Sequence, residues 1–368
     1  MLFPRFLPKR FLGIDIGTAA IKIVELSHWG ERRKLENYGE ISANILYEKT
    51  FRNFEKSTLL LSSQNIAKAI LAVNEAAKIK TKECIFSIPD FSSFFTNFDL
   101  PPMTKEELKE AVRYEARRHI PLPLGEVTLD WQVIDNFKKK EPDEEKNKKL
   151  KILLVAVPNE TINQYQEIAK ICELNLVSLE AEVFGLQKSL VSKEETKVVG
   201  LLDIGAQSTT YSIIDKGSLR ISHSFDLAGN ELTEQIAKSL SVDYAKAENL
   251  KRQYGLQYLP LPPDIGILFV KSVREIALPL VDMILREIDR ISRNFVQAEN
   301  KEVGKFIIAG GTAFIPGLKE YFQTHLKKEV EIANPFSNIY CPPILEKTLK
   351  EMGPSYAIAV GLALRGLE

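Results

Sequence analysis

The sequence predicts an α/β protein of two related lobes, with a small α+β insert in the first lobe. Three observations predict this. The chain repeats itself: Phe-Leu-Gly-Ile-Asp-Ile-Gly-Thr-Ala-Ala-Ile-Lys-Ile-Val-Glu-Leu at residues 11–26 is echoed by Val-Gly-Leu-Leu-Asp-Ile-Gly-Ala-Gln-Ser-Thr-Thr-Tyr-Ser-Ile-Ile at 199–214. Asp15 and Gly17 match Asp203 and Gly205, half a chain apart, which suggests paired lobes rather than a solenoid. Short apolar strands alternate with helical stretches, as a layered α/β fold requires. Finally, 368 residues with 45% hydrophobic and 27% charged side chains suit two or three folded units and exclude a wholly disordered chain.

Each copy of the repeat reads as an apolar strand, an Asp-Ile-Gly bend with small or hydroxylated residues, and a second β-rich strand, which together form a tight hairpin. In the first lobe, 84–88 and 94–100 read as strands, the latter closed by Pro101-Pro102. Thr-Lys-Glu-Glu at 104–107 is a capping box, and Leu108, Val112, Ala116 and Ile120 fall on one helical face that Pro121 ends. Val127, Leu129, Trp131 and Val133 alternate as in a half-buried strand. Residues 138–149 are charged and include Pro142, which predicts a solvated hairpin tip before the buried strand 150–157. A helix follows over 159–174. The second lobe predicts helices at 229–240 and 242–254, then Gly255 and a proline-rich loop at 260–263. A long amphipathic helix spans 276–298, with Leu280, Ile284, Ile288, Ile291 and Phe295 as its stripe. Strand 306–309 runs into Gly310-Gly311-Thr312, a helix starts near Pro316, and a small-residue helix covers 356–364.

Charge and cysteine content narrow the class. Lys plus Arg equals Asp plus Glu at 49 each, so no global basic excess draws in nucleic acid or acidic lipid. The cysteines Cys84, Cys172 and Cys341 form no CxxC pair, which argues against a disulfide framework or zinc ribbon and for a reducing compartment. No apolar run is long enough to span a membrane. The start, Met-Leu-Phe-Pro-Arg-Phe-Leu-Pro-Lys-Arg, has no signal-peptide pattern and reads as a leader before the first strand, or as a weak membrane-touching tail.

The two Asp-Ile-Gly bends carry the strongest chemistry. A triphosphate needs backbone N–H groups at close range, small side chains that let the backbone approach, and a carboxylate to hold magnesium, usually through water. Asp15 and Asp203 would face the metal. Gly17, Thr18, Ala19 and Ala20 would cradle one part of the phosphate chain, and Gly205, Ala206, Gln207 and Ser208 another. Lys22 could bring a positive charge. Gly310, Gly311 and Thr312, at a strand end before a helix, allow a flat ring or phosphate to approach the backbone. One such bend alone would favour an ordinary hairpin; two copies with a third glycine motif favour a nucleotide. Neither GxxxxGK[ST] nor GxGxxG occurs at these positions.

Together these segments resemble the actin-like ATPase superfamily, which includes sugar kinases, DnaK-like chaperones and FtsA. The resemblance covers residues 11–368. It implies a two-lobed actin/ribonuclease-H-like duplicated fold with ATP and Mg2+ in the cleft, the Asp bends as phosphate loops and Gly-Gly-Thr as the adenosine loop. Ala-Lys-Ala-Glu-Asn-Leu-Lys at 245–251 resembles the family's second-lobe helix, so Glu248 would bond the ribose and Lys251 lie against the adenine. On residue chemistry alone these two are an exposed pair on a helix. Gly229, at the start of its helix, joins the nucleotide-binding set. The resemblance divides the chain into subdomain 1A (11–83 and 159–198), 1C (84–158), 2A (199–228 and 302–368, its last helix closing the second lobe) and 2B (229–301).

The early position of the 84–158 insert, the Asp-Ile-Gly-Ala-Gln-Ser-Thr loop and the ending Tyr-Ala-Ile-Ala-Val-Gly-Leu-Ala-Leu-Arg at 356–365 resemble the PilM-type pilus-assembly branch, related to FtsA. FtsA would continue into a linker and an amphipathic membrane helix, and the sequence given ends instead. The resemblance implies a cytoplasmic ATP-binding protein of a type IV pilus or type II secretion assembly, peripheral to the inner membrane. It would bind the short cytoplasmic N-terminal peptide of a PilN-like membrane protein between the insert and the first lobe. Self-association, as in a polymerising FtsA-like protein, and a sugar or metabolite kinase are the alternatives. The Ala206-Gln207 side chains make the cleft tighter and point to slow or absent hydrolysis. No catalytic base is assigned: Glu180 or Glu182 could orient water, or be a plain carboxylate at a helix start.

Other candidates are weaker. His28, His119, His223 and His325 lack HExxH spacing and cysteine neighbours. Ser87 and Ser224 lack a GxSxG elbow. The phenylalanines of 86–98 could stack bases but at strand spacing read as core, and Arg113, Arg117 and Arg118 read as a solvated face or a partner contact.

Overall fold

A computed structural model describes residues 8–30, 32–43, 61–136, 149–257 and 267–368. Most of the expected leader, nearly all of the charged tip at 138–149 and the loop at 260–263 lie outside the described residues; the leader's last two residues, Lys9 and Arg10, instead open the first strand. Strand β1 (Lys9–Ile16) turns into β2 (Ala20–Trp29), which pairs with β3 (Arg32–Ser42). Helix α1 (Ser63–Ala76), capped by the Ser62 hydroxyl, leads to β4 (Glu83–Ile88). Then come β5 (Phe94–Leu100), α2 (Lys105–Ala116), β6 (Val127–Asn136) and β7 (Leu150–Pro158). Helix α3 (Asn159–Ile171), β8 (Asn175–Ala181) and α4 (Glu182–Leu190) complete the first half. The second half begins with β9 (Val199–Ile204), β10 (Thr209–Asp215), β11 (Ser218–Phe225), α5 (Gly229–Leu240) and α6 (Tyr244–Tyr254). It ends with α7 (Ile267–Glu299), β12 (Lys305–Ala309), α8 (Leu318–Leu326), β13 (Glu329–Ile332) and α9 (Glu346–Gly366).

The sequence repeat is a repeat of topology. One five-stranded sheet has the order β3-β2-β1-β4-β8, the other β11-β10-β9-β12-β13. In each, the first three strands are antiparallel and the last two join in parallel. The first sheet buries Leu12, Ile14, Ile21 and Ile23 against Ile66, Ile70 and Ile168 of α1 and α3. The second buries Leu202, Ile204, Tyr211 and Ile308 against the α7 stripe Ile284, Ile288, Ile291 and Phe295, the spacing seen in the sequence. Three further strands, β5-β7-β6, form a small sheet covered by α2. The Thr104 capping box is complete in both directions, and Leu108, Val112, Ala116 and Ile120 are all buried there. Residues 84–158 thus supply the expected small α+β unit, with one correction at its start.

Strand β4, expected inside the insert, belongs to the large first sheet. It lies parallel between β1 and β8 and occupies the place that β12 holds in the second sheet. Cys-Ile-Phe-Ser-Ile is buried on both faces, as a central parallel strand must be, so it lacks the alternation that would mark a small surface sheet.

The last helix is the other correction. Instead of closing the second lobe, α9 lies in a core that both lobes share, between Phe11, Val24 and Ile85 on one side and Val199, Leu201 and Ile307 on the other. It approaches β1 and α4 at backbone range: a Cβ at Gly13 would run into the Ala359 carbonyl, and one at Gly361 into the Gly185 carbonyl. Its small residues Ala357, Ala359, Gly361 and Ala363 permit that approach. The insert also touches the second half, where Asn97 donates to the Arg220 carbonyl and Lys151 pairs with Glu299.

Candidate functional site

Asp15 and Asp203 are the penultimate residues of β1 and β9, the equivalent central strands of the two sheets. Asp15 is 3% exposed, and the Ser87 hydroxyl on β4 donates to its Oδ1 at 2.8 Å. Its register partner across the hairpin is Lys22. The bends that follow are closed alike: the Gly17 N–H donates to the Ala20 carbonyl at 3.0 Å, and the Gly205 N–H to the Ser208 carbonyl at 3.0 Å. A Cβ at Gly17 would stand 2.9 Å from that carbonyl oxygen and one at Gly205 3.0 Å from its own, so each bend needs a residue without a side chain there.

The Gly310-Gly311-Thr312 turn braces the second bend. Gly310 has φ +90°, and a Cβ on it would collide with the Ile204 carbonyl and crowd the Asp203 carboxylate. Thr312 Oγ1 donates to the Gly205 carbonyl at 3.0 Å, and the Gly229 N–H donates to the same oxygen at 3.1 Å. The Asn230 N–H reaches the Ala206 carbonyl at 2.7 Å. Parallel pairing of β9 with β12 and the start of α5 therefore bring three distant segments to one place.

These segments line a cleft of about 400 Å³, within the range of small-ligand sites. Asp15, Gly17, Thr18, Ala19, Ala20 and Lys22 face it from the first half; Asp203, Gly205, Ala206, Ser208, Gly229, Glu248, Lys251, Gly310, Gly311 and Thr312 face it from the second. Of the expected site residues, only Gln207 does not line it. The cleft also contains Ser42, Asn230, Tyr244, Arg252 and Phe314, which the sequence reading missed. Asn230 and Tyr244 carried a faint signal, adjoining Gly229 and opening the helix of Glu248; the Tyr244 hydroxyl donates to Asn230 Oδ1 at 3.0 Å.

Glu248 and Lys251 are not an exposed pair. Lys251 is 5% exposed, and its ammonium donates to the Gly229 carbonyl at 2.9 Å, to Thr233 Oγ1 at 2.7 Å and to Glu248 at 2.6 Å. Burial pulls the Lys251 ammonium below its ordinary value, with Glu248 opposing. Burial would raise the Glu248 carboxyl, but Lys251, Thr233 and Arg252 outweigh it and hold that carboxyl below its ordinary value.

The ambiguity between Glu180 and Glu182 is resolved in position. Glu182, buried at the start of α4, lines the cleft and accepts the Asp90 N–H at 3.2 Å, while Asp90 Oδ1 accepts the Val183 N–H. Glu180 faces elsewhere: burial raises its carboxyl, and Arg365 opposes that from 3.1 Å. Among the described residues no group of three or more His, Cys, Asp or Glu is set to hold a metal alone. Two carboxylates beside phosphate-sized loops suit magnesium, which keeps water and takes one or two carboxylates together with phosphate oxygens.

A second recess of about 640 Å³ lies between the small sheet and the first lobe. Thr128, Asp130 and Gln132 of β6 line one wall and Leu176–Ala181 of β8 the other, and Phe184 and Arg365 also line it. Each strand is the edge of its sheet, and Val177 is 58% exposed. Two open edges facing one groove are what an extended peptide can join.

Comparison with known proteins agrees with this architecture. The family profile described as type IV pilus assembly protein PilM matches residues 13–367. The chain is 23% identical over 193 residues to the cell division protein FtsA of Staphylococcus epidermidis, covering 50% of this chain and 42% of that protein. It is 27% identical over 161 residues to FtsA of Bacillus subtilis, 39% of this chain and 36% of that one. The chain thus spans less than half the length of these curated relatives. A solved PilM-PilN type IV pilus biogenesis complex superposes with TM-score 0.80 at 24% identity, covering 97% of this chain and 98% of the other. MreB5 of Spiroplasma citri bound to AMPPNP superposes with TM-score 0.52 at 15% identity, over 95% and 98%. The duplicated fold is therefore actin-like, and the chain belongs to the PilM family of type IV pilus assembly proteins.

Proposed function

We propose that this chain is a nucleotide-binding assembly protein whose cleft takes ATP with magnesium and whose groove takes a partner segment. The observation that carries the proposal is the convergence of both Asp-Ile-Gly bends and the Gly-Gly-Thr turn on one cleft. Gly17–Ala20 and Gly205–Ser208 offer backbone to the phosphates, and Lys22 offers a positive charge. Asp15 and Asp203 would hold magnesium through water, and the cation would neutralise phosphate charge. Glu248 is the ribose-side carboxylate. With every Lys251 bond made inside the protein, Lys251 serves as a strut that fixes Glu248 and Gly229. ATP acts mainly as a structural ligand, stabilising the form that binds it by mass action. Turnover is slow or absent, with Glu182 in the cleft as the carboxylate nearest such a role.

The groove between β6 and β8 receives an extended segment, in the pilus context the short cytoplasmic N-terminal peptide of a PilN-like membrane protein. A solved relative described as a PilM-PilN complex supports this partner. Among the described residues no helix is long and apolar enough to cross a membrane, so that partner would tether the chain to one. Val177→Arg places a charge on the exposed β8 edge without touching a core residue. Fluorescence anisotropy with a labelled peptide of that partner should show at least about a tenfold loss of affinity in Val177→Arg, the effect of about 1.4 kcal/mol. Unchanged affinity would remove the groove from the account.

A further inference from the structure

The end of the first sheet remote from the cleft carries a surface that neither site uses. Ser27 of β2 is paired with Arg10 of β1 on one side and Lys34 of β3 on the other. Lys34 is bridged in turn to Tyr340. Paired residues share a face of the sheet, so Arg10, Lys34 and Tyr340 form one row. Trp29, two residues beyond Ser27, and its partner Arg32 form the next row on the same face, at the hairpin tip. Trp29 and Tyr340 are each 64% exposed. The Lys78–Lys82 turn reaches the same face, because the Thr81 hydroxyl donates to the buried Glu25 there.

Among the described residues the basic groups here, Arg10, Arg32, Lys34, Lys78, Lys80 and Lys82, outnumber the acidic ones, Glu25, Glu36, Glu75 and Glu83. Glu25 is buried behind the row, and Glu36, largely covered, engages Arg10 and Lys34. Arg32, Lys78 and Lys80 are exposed and make no ion pair among the described residues. Glu75 and Glu83 flank the lysine turn without pairing with it. The result is a cation-rich rim around two protruding aromatic rings. Water favours neither ring, whereas the headgroup layer of a bilayer accepts an amphipathic ring and its anionic lipids attract the cations.

We propose that this end of the first lobe docks directly on an anionic phospholipid surface, with Trp29 and Tyr340 entering the headgroup layer and Arg32, Lys78 and Lys80 meeting lipid phosphates. The occupant is a lipid bilayer, because two exposed aromatics on neighbouring rows of one face, with a surrounding basic rim, suit a flat anionic interface. The contact is independent of the peptide groove and needs no partner, so it can fail while the groove stands, and the reverse.

The test is flotation of the purified chain, without peptide or nucleotide, on vesicles of phosphatidylglycerol mixed with phosphatidylcholine and on vesicles of phosphatidylcholine alone. The chain should float with the anionic vesicles only, and added salt should release it. Arg32→Glu and Lys80→Glu should each lower partitioning by about fivefold or more, the effect of about 1 kcal/mol per basic residue at such a surface. The chain has two tryptophans, Trp29 and Trp131. In Trp131→Phe protein the remaining emission should shift to the blue with anionic vesicles and be quenched by brominated lipid, a readout on protein with its surface intact. Equal flotation on both vesicle types, full partitioning by both charge variants, or an unmoved Trp29 emission would overturn the proposal. So would binding to a duplex DNA probe with the vesicles left bare.

Discussion

At the scale of single residues, the cleft depends on side chains whose hydrogen bonds are already spent inside the protein. Lys251 shows this best: its three donors go to Gly229, Thr233 and Glu248. Because these partners hold the Glu248 carboxyl below its ordinary 4.5, the unfolded chain binds the proton more readily than the folded one. That contribution is present above 4.5 and is lost as the pH falls through the lower, folded value. Glu248→Gln should therefore melt a few degrees below wild type near neutrality, and the gap should narrow in thermal scans taken below about pH 4. Ser87 acts at the same scale on the other half. Ser87→Ala should weaken magnesium-ATP binding by about tenfold or more, the worth of one hydrogen bond to a charged group, with the fold unchanged by circular dichroism. Much of the candidate site was legible from residue types, because a bend closed this tightly demands glycine, and the repeated Asp-Ile-Gly marks both copies. Ser87 was not: its role comes from the parallel pairing of β4 with β1, which no local pattern encodes. Nor was the burial of Lys251, which α5 imposes by packing on α6.

At the scale of elements, the tightest joint is that of α9 with β1 and α4. Gly13 and Gly361 meet opposing backbone, which cannot step aside as a flexible side chain could. Gly361→Val should cost more than about 3 kcal/mol in denaturant unfolding, or prevent folding, since overpacking here strains two elements at once. A variant of wild-type stability would mean that α9 sits elsewhere. By contrast Thr104→Ala, which removes the α2 cap, should cost only about 1 kcal/mol. Elements with local signatures were readable in advance: the Thr104 cap, the α7 stripe and the paired Asp bends all stand where the sequence put them. Placement was less readable. The sequence reading places β4 in the insert, and the family resemblance places α9 in the second lobe; an apolar run and a small-residue helix look the same whichever sheet receives them. What decides between sheets is long-range contact: β1 and β8 on either side of β4, and Gly13 and Gly185 beneath α9.

At the scale of the whole molecule, two copies of one sheet topology face each other across the cleft, and two features cross between them. Helix α9 lies in their shared core, where its Pro354 carbonyl accepts the Gly310 N–H, and the insert reaches over through Asn97 and Lys151. A ligand that bridges both bends would add a further link. The most direct measurement is calorimetric titration of ATP with and without magnesium into the wild type, Asp15→Ala and Asp203→Ala. The wild type should bind in a magnesium-dependent manner, each variant should lose at least about tenfold in affinity, and most of the magnesium dependence should vanish with it. Affinity and magnesium dependence that survive intact in both variants would contradict the assignment of the two bends to a single nucleotide site.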